Sequence, residues 1–227
     1  MNGSLTKLGR FFSDINPWAR RSLSEFVYHN SNEPLSWFYQ KYYASGSNCR
    51  YQTFHLALNL LFQRHEKPLI VETGCQRLKD DIGAGMSTSI FGEYVHRYGG
   101  RLVTVDFSEQ NLNICRESTA SFSDKIQYVF SDSLVFLKQL TETPGLIYLD
   151  SYDYDINGSD EDRRLSQEHC LKEWLIVEPL LKDDTIVLLD DNDLPGGGKP
   201  KKVKADLSSK GWTCLLDWQQ SLWVKKI

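Results

Sequence analysis

The stretch Leu69-Ile-Val-Glu-Thr-Gly-Cys75, followed after a polar insertion (Gln76–Ile82) by Gly83-Ala-Gly-Met-Ser-Thr88, decides how the rest of the chain is read. A short apolar run ends in an acid, then a glycine, and a second glycine-rich turn opens a helix-like segment. Four further runs follow: Arg101-Leu-Val-Thr-Val-Asp106, Ile126-Gln-Tyr-Val-Phe130, Leu146-Ile-Tyr-Leu-Asp150 and Thr185-Ile-Val-Leu-Leu-Asp190. Runs of this length and β-branched character suit strands buried on both faces of a parallel sheet. Between them Ser87–Tyr98, Ser108–Phe122, Leu134–Leu140 and Arg163–Leu181 carry helical spacing. In the last, Leu165, Cys170, Leu171, Trp174, Leu175, Val177 and Leu180 form the apolar stripe. Alternation of strand and helix predicts an α/β fold with a doubly wound, mostly parallel, Rossmann-like sheet.

The ends of the chain read differently. Trp212–Trp218 and Ser221–Lys225 are separated by too few residues for a helical crossover, which predicts an antiparallel C-terminal hairpin. Residues 1–50, rich in Phe, Trp and Tyr, read as an N-terminal helical cap or lid. Residues 51–227 read as the main domain, opening on a helix over Tyr51–His65.

The chain has 227 residues, 41% hydrophobic and 25% charged, with net charge −4. Nothing approaches the roughly 18 apolar residues of a membrane span, and no secretory h-region is visible, so the expected home is cytoplasmic. Five scattered cysteines without a C-x-x-C pair encode neither a zinc ribbon nor a disulfide framework. The mildly acidic balance argues against nucleic acid as partner.

The small excess of acid is placed with a pattern. Glu72, Asp106, Asp150 and Asp190-Asp191 end strand-like runs, and Asp132 follows another by two residues. Carboxyl ends of parallel strands line the ligand crevice of such sheets, although single acids there also serve as turn and cap residues. The glycine turns fit neither a dinucleotide fingerprint, since Thr88 stands where the last glycine belongs, nor a phosphate-binding P-loop. A nicotinamide oxidoreductase is disfavoured on that ground.

Taken in order, Glu72-x-Gly74, Gly83-x-Gly-x-Ser-Thr88, Val105-Asp106, Asp132-Ser133 and Leu149-Asp150 resemble the motifs of class I S-adenosylmethionine-dependent methyltransferases. The resemblance implies S-adenosylmethionine as cofactor. Glu72 and Gly74 would lie by its amino-acid part, with Gly83, Gly85, Ser87 and Thr88 nearby. Asp106, followed by Phe107 and Ser108, would meet the ribose, and Asp132 and Ser133 the adenine. Asp150 would face the reacting methyl.

Leu149-Asp-Ser-Tyr-Asp153 with Leu188-Leu-Asp-Asp-Asn192 further resembles the divalent-metal-dependent O-methyltransferases of the catechol and macrolide or aminocoumarin sugar type. By that likeness Asp150, Asp191 and Asn192 are magnesium ligands, with Asp190 as a substitute if the strand shifts by one residue. Asp153 stands where catechol O-methyltransferase carries its lysine base, which makes Asp150 and Asp153 the catalytic candidates. A small molecule is then the acceptor, with a homodimer as the assembly entertained and no nucleic acid or membrane as partner. Metal-free transfer and a non-catalytic cofactor-binding protein remain as alternatives.

Asp153-Tyr-Asp-Ile-Asn-Gly158 starts like a calcium loop, but Arg164 holds the position that needs a glutamate, which leaves a turn ahead of a helix capped by Ser159 or Asp160. Pro195–Lys204 reads as a solvated cationic loop, with Lys199 or Lys201 as an alternative clamp on an anionic substrate group. His55, His65, His96 and His169 read as packing or surface residues.

Overall fold

A computed structural model describes residues 34–43, 50–79 and 86–225. Most of the predicted cap, and Gly83 and Gly85, lie outside the described residues. The elements are α1 (Arg50–Arg64), β1 (Leu69–Thr73), α2 (Ser87–Tyr98), β2 (Arg101–Asp106), α3 (Glu109–Ser118), β3 (Ile126–Phe130), α4 (Ser133–Gln139), β4 (Leu146–Leu149), α5 (Asp160–Val177), β5 (Ile186–Leu189), α6 (Lys201–Ser209), β6 (Thr213–Asp217) and β7 (Ser221–Val224). The strands form one seven-stranded sheet in the order β3-β2-β1-β4-β5-β7-β6. The first five are parallel, and β7 runs antiparallel to both β5 and β6. The expected doubly wound sheet with an antiparallel hairpin is therefore the observed fold.

Each central strand sends alternate residues to opposite faces, and each face is covered. Ile70, Leu102, Tyr148, Leu188 and Leu222 pack with Phe54 and Leu58 of α1 and with Ile90 and Phe91 of α2. Val71, Val105, Ile147, Leu149 and Val187 pack with Cys170 and Trp174 of α5 and with Val203 and Leu207 of α6. Of the cap, Leu35, Trp37, Phe38 and Tyr42 are buried in the first of these cores.

The stripe predicted on the fifth helix is corrected. Leu165 and Leu175 are exposed, whereas Ser166, Gln167 and Glu173 are buried beside Cys170, Trp174 and Val177. The helix turns a partly polar face inward because loops with backbone groups to satisfy lie beneath it. Ser166 Oγ donates to the carbonyl of Tyr152, and Gln167 Nε2 to that of Gly198. Its start is set by Ser159, whose hydroxyl accepts from Asp162 N in a capping box.

Candidate functional site

Chain direction across the sheet reverses between β1 and β4, and a crevice forms at such a point. A cavity of about 490 Å³ lies there. Among the described residues it is lined by Gly74 and Cys75 after β1, Asp106, Phe107 and Asn111 after β2, Ser131, Asp132 and Ser133 after β3, and Asp150–Asp153 after β4. Arg77, Val105 and His169 complete the wall.

Gly74 has φ +82°, and a Cβ there would lie 2.4 Å from the carbonyl oxygen of Asp150. Glycine is thus what lets the β1 and β4 ends approach so closely. The Asp106 carboxylate is held in place by Ser108 N at 2.7 Å, Cys75 N at 3.3 Å and Asn111 Nδ2 at 3.3 Å. It remains a fixed acceptor at the cavity wall. Asp132 caps α4 by accepting from Val135 N while it lines the cavity. Ser133 Oγ lies 3.0 Å from His169 Nε2.

The structure brings Gly74, Asp106, Phe107, Asp132, Ser133, Asp150 and Asp153 to one cavity and leaves other expected residues outside its lining. Glu72 and Thr88 lie behind the wall: Glu72 Oε2 accepts from Thr88 Oγ1 and Thr104 Oγ1, each at 2.7 Å. Its Oε1 has no hydrogen-bond partner among the described residues. Burial pushes the Glu72 pKa up to about 7, against the pull of the surrounding hydroxyls. Thr88 Oγ1 also accepts from Gln76 N, which ties the loop after β1 to the start of α2. Ser108 caps α3.

The acids after β4 and β5 form a second polar cluster beside the cavity. Tyr148 donates to Asp190 Oδ2 at 2.8 Å and lies 3.3 Å from Asp150 Oδ2, and Gln220 Nε2 donates to the Tyr148 oxygen. Arg50 pairs with Asp190 at 3.0 Å and Asp191 at 3.2 Å. Lys199, with its side chain 2% exposed, pairs with Asp150 at 2.9 Å and Asp191 at 3.2 Å. Burial opposes the charge on Lys199, but Asp150, Asp191 and Asp190 outweigh it and hold the ammonium well above the ordinary lysine range. Asp150 is held well above the usual carboxylate range, first by burial and then by Asp190 and Asp191, with Lys199 pulling the other way.

This arrangement does not fit the expected magnesium site. A lysine ammonium lies between Asp150 and Asp191, and Asn192 is turned elsewhere. Asn192 Nδ2 donates to Asp217 Oδ1 at 2.7 Å and to the carbonyl of Trp218, and its Oδ1 accepts from Lys204 Nζ. No cluster of three or more His, Cys, Asp or Glu suited to a metal occurs among the described residues. The reading of Pro195–Lys204 as a solvated loop fails at the same place, since Lys199 is buried. Asp153 is largely exposed at the cavity rim and pairs with Arg77 at 2.8 Å. Arg50, Arg77, Asn111, His169 and Lys199 were not among the expected site residues, apart from the mention of Lys199 as a clamp. Three glycines placing a lysine just after an acidic strand end were its one sequence signal.

Comparison with known proteins agrees with the cavity. Residues 81–192, just under half of the chain, match the family model of a methyltransferase domain. A search of curated proteins gives no match. Among solved structures, a Podospora anserina methyltransferase bound to S-adenosylhomocysteine is 17% identical with a TM-score of 0.56, covering 93% of this chain and 96% of that one. A calicheamicin methyltransferase is 14% identical with a TM-score of 0.55, covering 92% and 93%. A Geobacter sulfurreducens methyltransferase is 13% identical with a TM-score of 0.51, covering 91% and 94%. At these identities the structures speak for the fold, and the match over residues 81–192 supports an S-adenosylmethionine-dependent methyltransferase.

Proposed function

We propose that the chain methylates an oxygen of a small molecule, with Asp150 taking the proton of the acceptor hydroxyl. The observation that carries this reading is the placement of Asp150. It borders the cofactor cavity, and its raised proton affinity gives the acceptor proton somewhere to go as the oxygen attacks. When bound, S-adenosylmethionine supplies an electrophilic methyl on a sulfonium centre.

The chain's own residues fit that cofactor. Asp106 presents a preorganised carboxylate to the ribose, and Asp132 and Ser133 border the space for the adenine. The Gly74 backbone leaves room beside Asp150 for the methionine end. Catalysis then rests on alignment of the two reactants, which supplies much of the barrier reduction in transfers of this kind. Asp153 and Arg77 at the rim contact the acceptor. The carboxylates after β4 and β5 disfavour a polyanionic acceptor, and the fold shared with a calicheamicin methyltransferase agrees with a small one.

Calorimetric titration of S-adenosylhomocysteine into the intact protein tests the cofactor reading. Removal of charge-assisted hydrogen bonds worth roughly 1.5–3 kcal/mol predicts that Asp106→Ala weakens binding about 10- to 150-fold. Absence of binding to the unmodified protein would sink the proposal. A labelled-methyl assay across hydroxyl, amine and thiol acceptors tests the rest, and transfer confined to nitrogen or sulfur would overturn the assignment to oxygen.

A further inference from the structure

Lys199 reaches its position through a backbone built to deliver it. Asp191 has φ +52°, and Gly196, Gly197 and Gly198 have φ of +75°, +94° and +64°. These turns fold the segment back so that Lys199 N donates to the Asp191 carbonyl at 3.2 Å. A Cβ at Gly198 would lie 2.0 Å from that same carbonyl oxygen, so the path is closed to any side chain. Gln167 on α5 holds the Gly198 carbonyl from above. Neighbouring Lys201, by contrast, is exposed.

The ammonium ends among three oxygens: Asp150 Oδ1 at 2.9 Å, the Ser151 carbonyl at 2.9 Å and Asp191 Oδ2 at 3.2 Å. Two of the three ammonium protons are placed in hydrogen bonds, to Asp150 and the Ser151 carbonyl, and Asp191 adds an ion pair that compensates the buried charge. The same hard oxygens are the kind a divalent cation would take.

We propose that Lys199 is the resident cation of this site, a positioning residue whose ammonium takes the place between Asp150 and Asp191 that a divalent metal would need. Its catalytic meaning rests on the methyl transfer proposed above, whereas its exclusion of metal does not. A metal entering would have to evict the ammonium and leave it buried without acceptors, a cost of several kcal/mol by general expectation for buried charges. By holding Asp150 Oδ1, Lys199 leaves Oδ2 for Tyr148 and the acceptor. The device makes the site independent of divalent ion supply, and it places a fixed positive charge where a metal-using relative would recruit a mobile one.

Manganese titration of the intact protein, read by electron paramagnetic resonance, tests this. The unmodified protein is expected to show no saturable site below roughly 1 mM, the weak end of the range over which oxygen-ligand sites fill. Lys199→Ala and Lys199→Met vacate the position, and each should bind manganese at least about tenfold more tightly than the parent, a difference of one decade in Kd. The double variant Lys199→Ala/Asp191→Asn should lose that gain. Saturable binding to the unmodified protein that disappears in Asp191→Asn would overturn the proposal. So would folded Lys199 variants that bind no better than the parent. If both variants misfold, the parent titration decides alone, with no saturable site as the supporting result. Failure of S-adenosylhomocysteine to bind would count against the methyl-transfer reading and leave the manganese result to stand by itself.

Discussion

Glu72 shows how one residue can be read correctly as an acid at a strand end and still be misplaced. It is fully buried, and its carboxyl pKa is pushed up to about 7 from an ordinary 4.5, first of all by desolvation. A raised acid favours the folded protein while protonated, so its contribution is fully present below about pH 4.5 and is lost as pH rises through about 7. The difference corresponds to about 3 kcal/mol. Melting temperatures of Glu72→Gln and its parent across pH 4 to 8 should therefore diverge, with the parent falling relative to the variant as pH rises. Parallel curves would mean that Glu72 ionises outside the fold's control. The motif order identified the acids, but whether a side chain enters the cavity or lies behind it depends on strand pleat and on neighbouring threonines. Asp106 and Asp132 face the cavity, and Glu72 does not. Lys199 was legible only as a basic residue after glycines, because its burial follows from backbone dihedrals that composition does not specify.

At the scale of an element, the segment from Asp191 to Pro200 is the most constrained loop in the site. Gly198 combines φ +64° with ψ −175°, a region open in practice only to glycine. Gly198→Ala should cost more than about 1–3 kcal/mol, the usual strain plus a collision with the Asp191 carbonyl. Chemical denaturation should report that loss. The displaced segment should also release Lys199, so manganese binding should rise as it does on Lys199→Ala. An unchanged stability would show that the loop has another path. α5 teaches a related lesson. Its length and its cap at Ser159 were readable, yet helical periodicity picked Leu165 and Leu175 as core, and both are exposed. Apolar periodicity finds the buried face only when what lies beneath is apolar. Here Ser166 and Gln167 answer backbone carbonyls, and Glu173 accepts from Ser151 Oγ at 2.7 Å.

The whole molecule is a sheet with two covered faces, and that much was open to reading from the chain because buried parallel strands leave long apolar runs and hairpins leave short gaps. Trp174 marks the centre of one face. It is fully buried, meets Trp212 edge-on at 5.8 Å and donates through Nε1 to Asp206 Oδ2 at 2.6 Å. Trp174→Ala should cost about 3–5 kcal/mol, and for a chain of this size that lowers the melting temperature by roughly 6–20 °C. A smaller change in calorimetry would mean the two layers collapse around the vacancy. The place of β7 between β5 and β6 carries one more consequence, in time. Gln219 and Gln220, in the turn before β7, hold Asn192 N and the Tyr148 oxygen. During synthesis the strands that lead to Asp106, Asp132 and Asp150 emerge before Gln219 and Gln220, which steady part of the charged cluster. A nascent chain would therefore own the crevice proposed for the cofactor before the charged cluster beside it is complete.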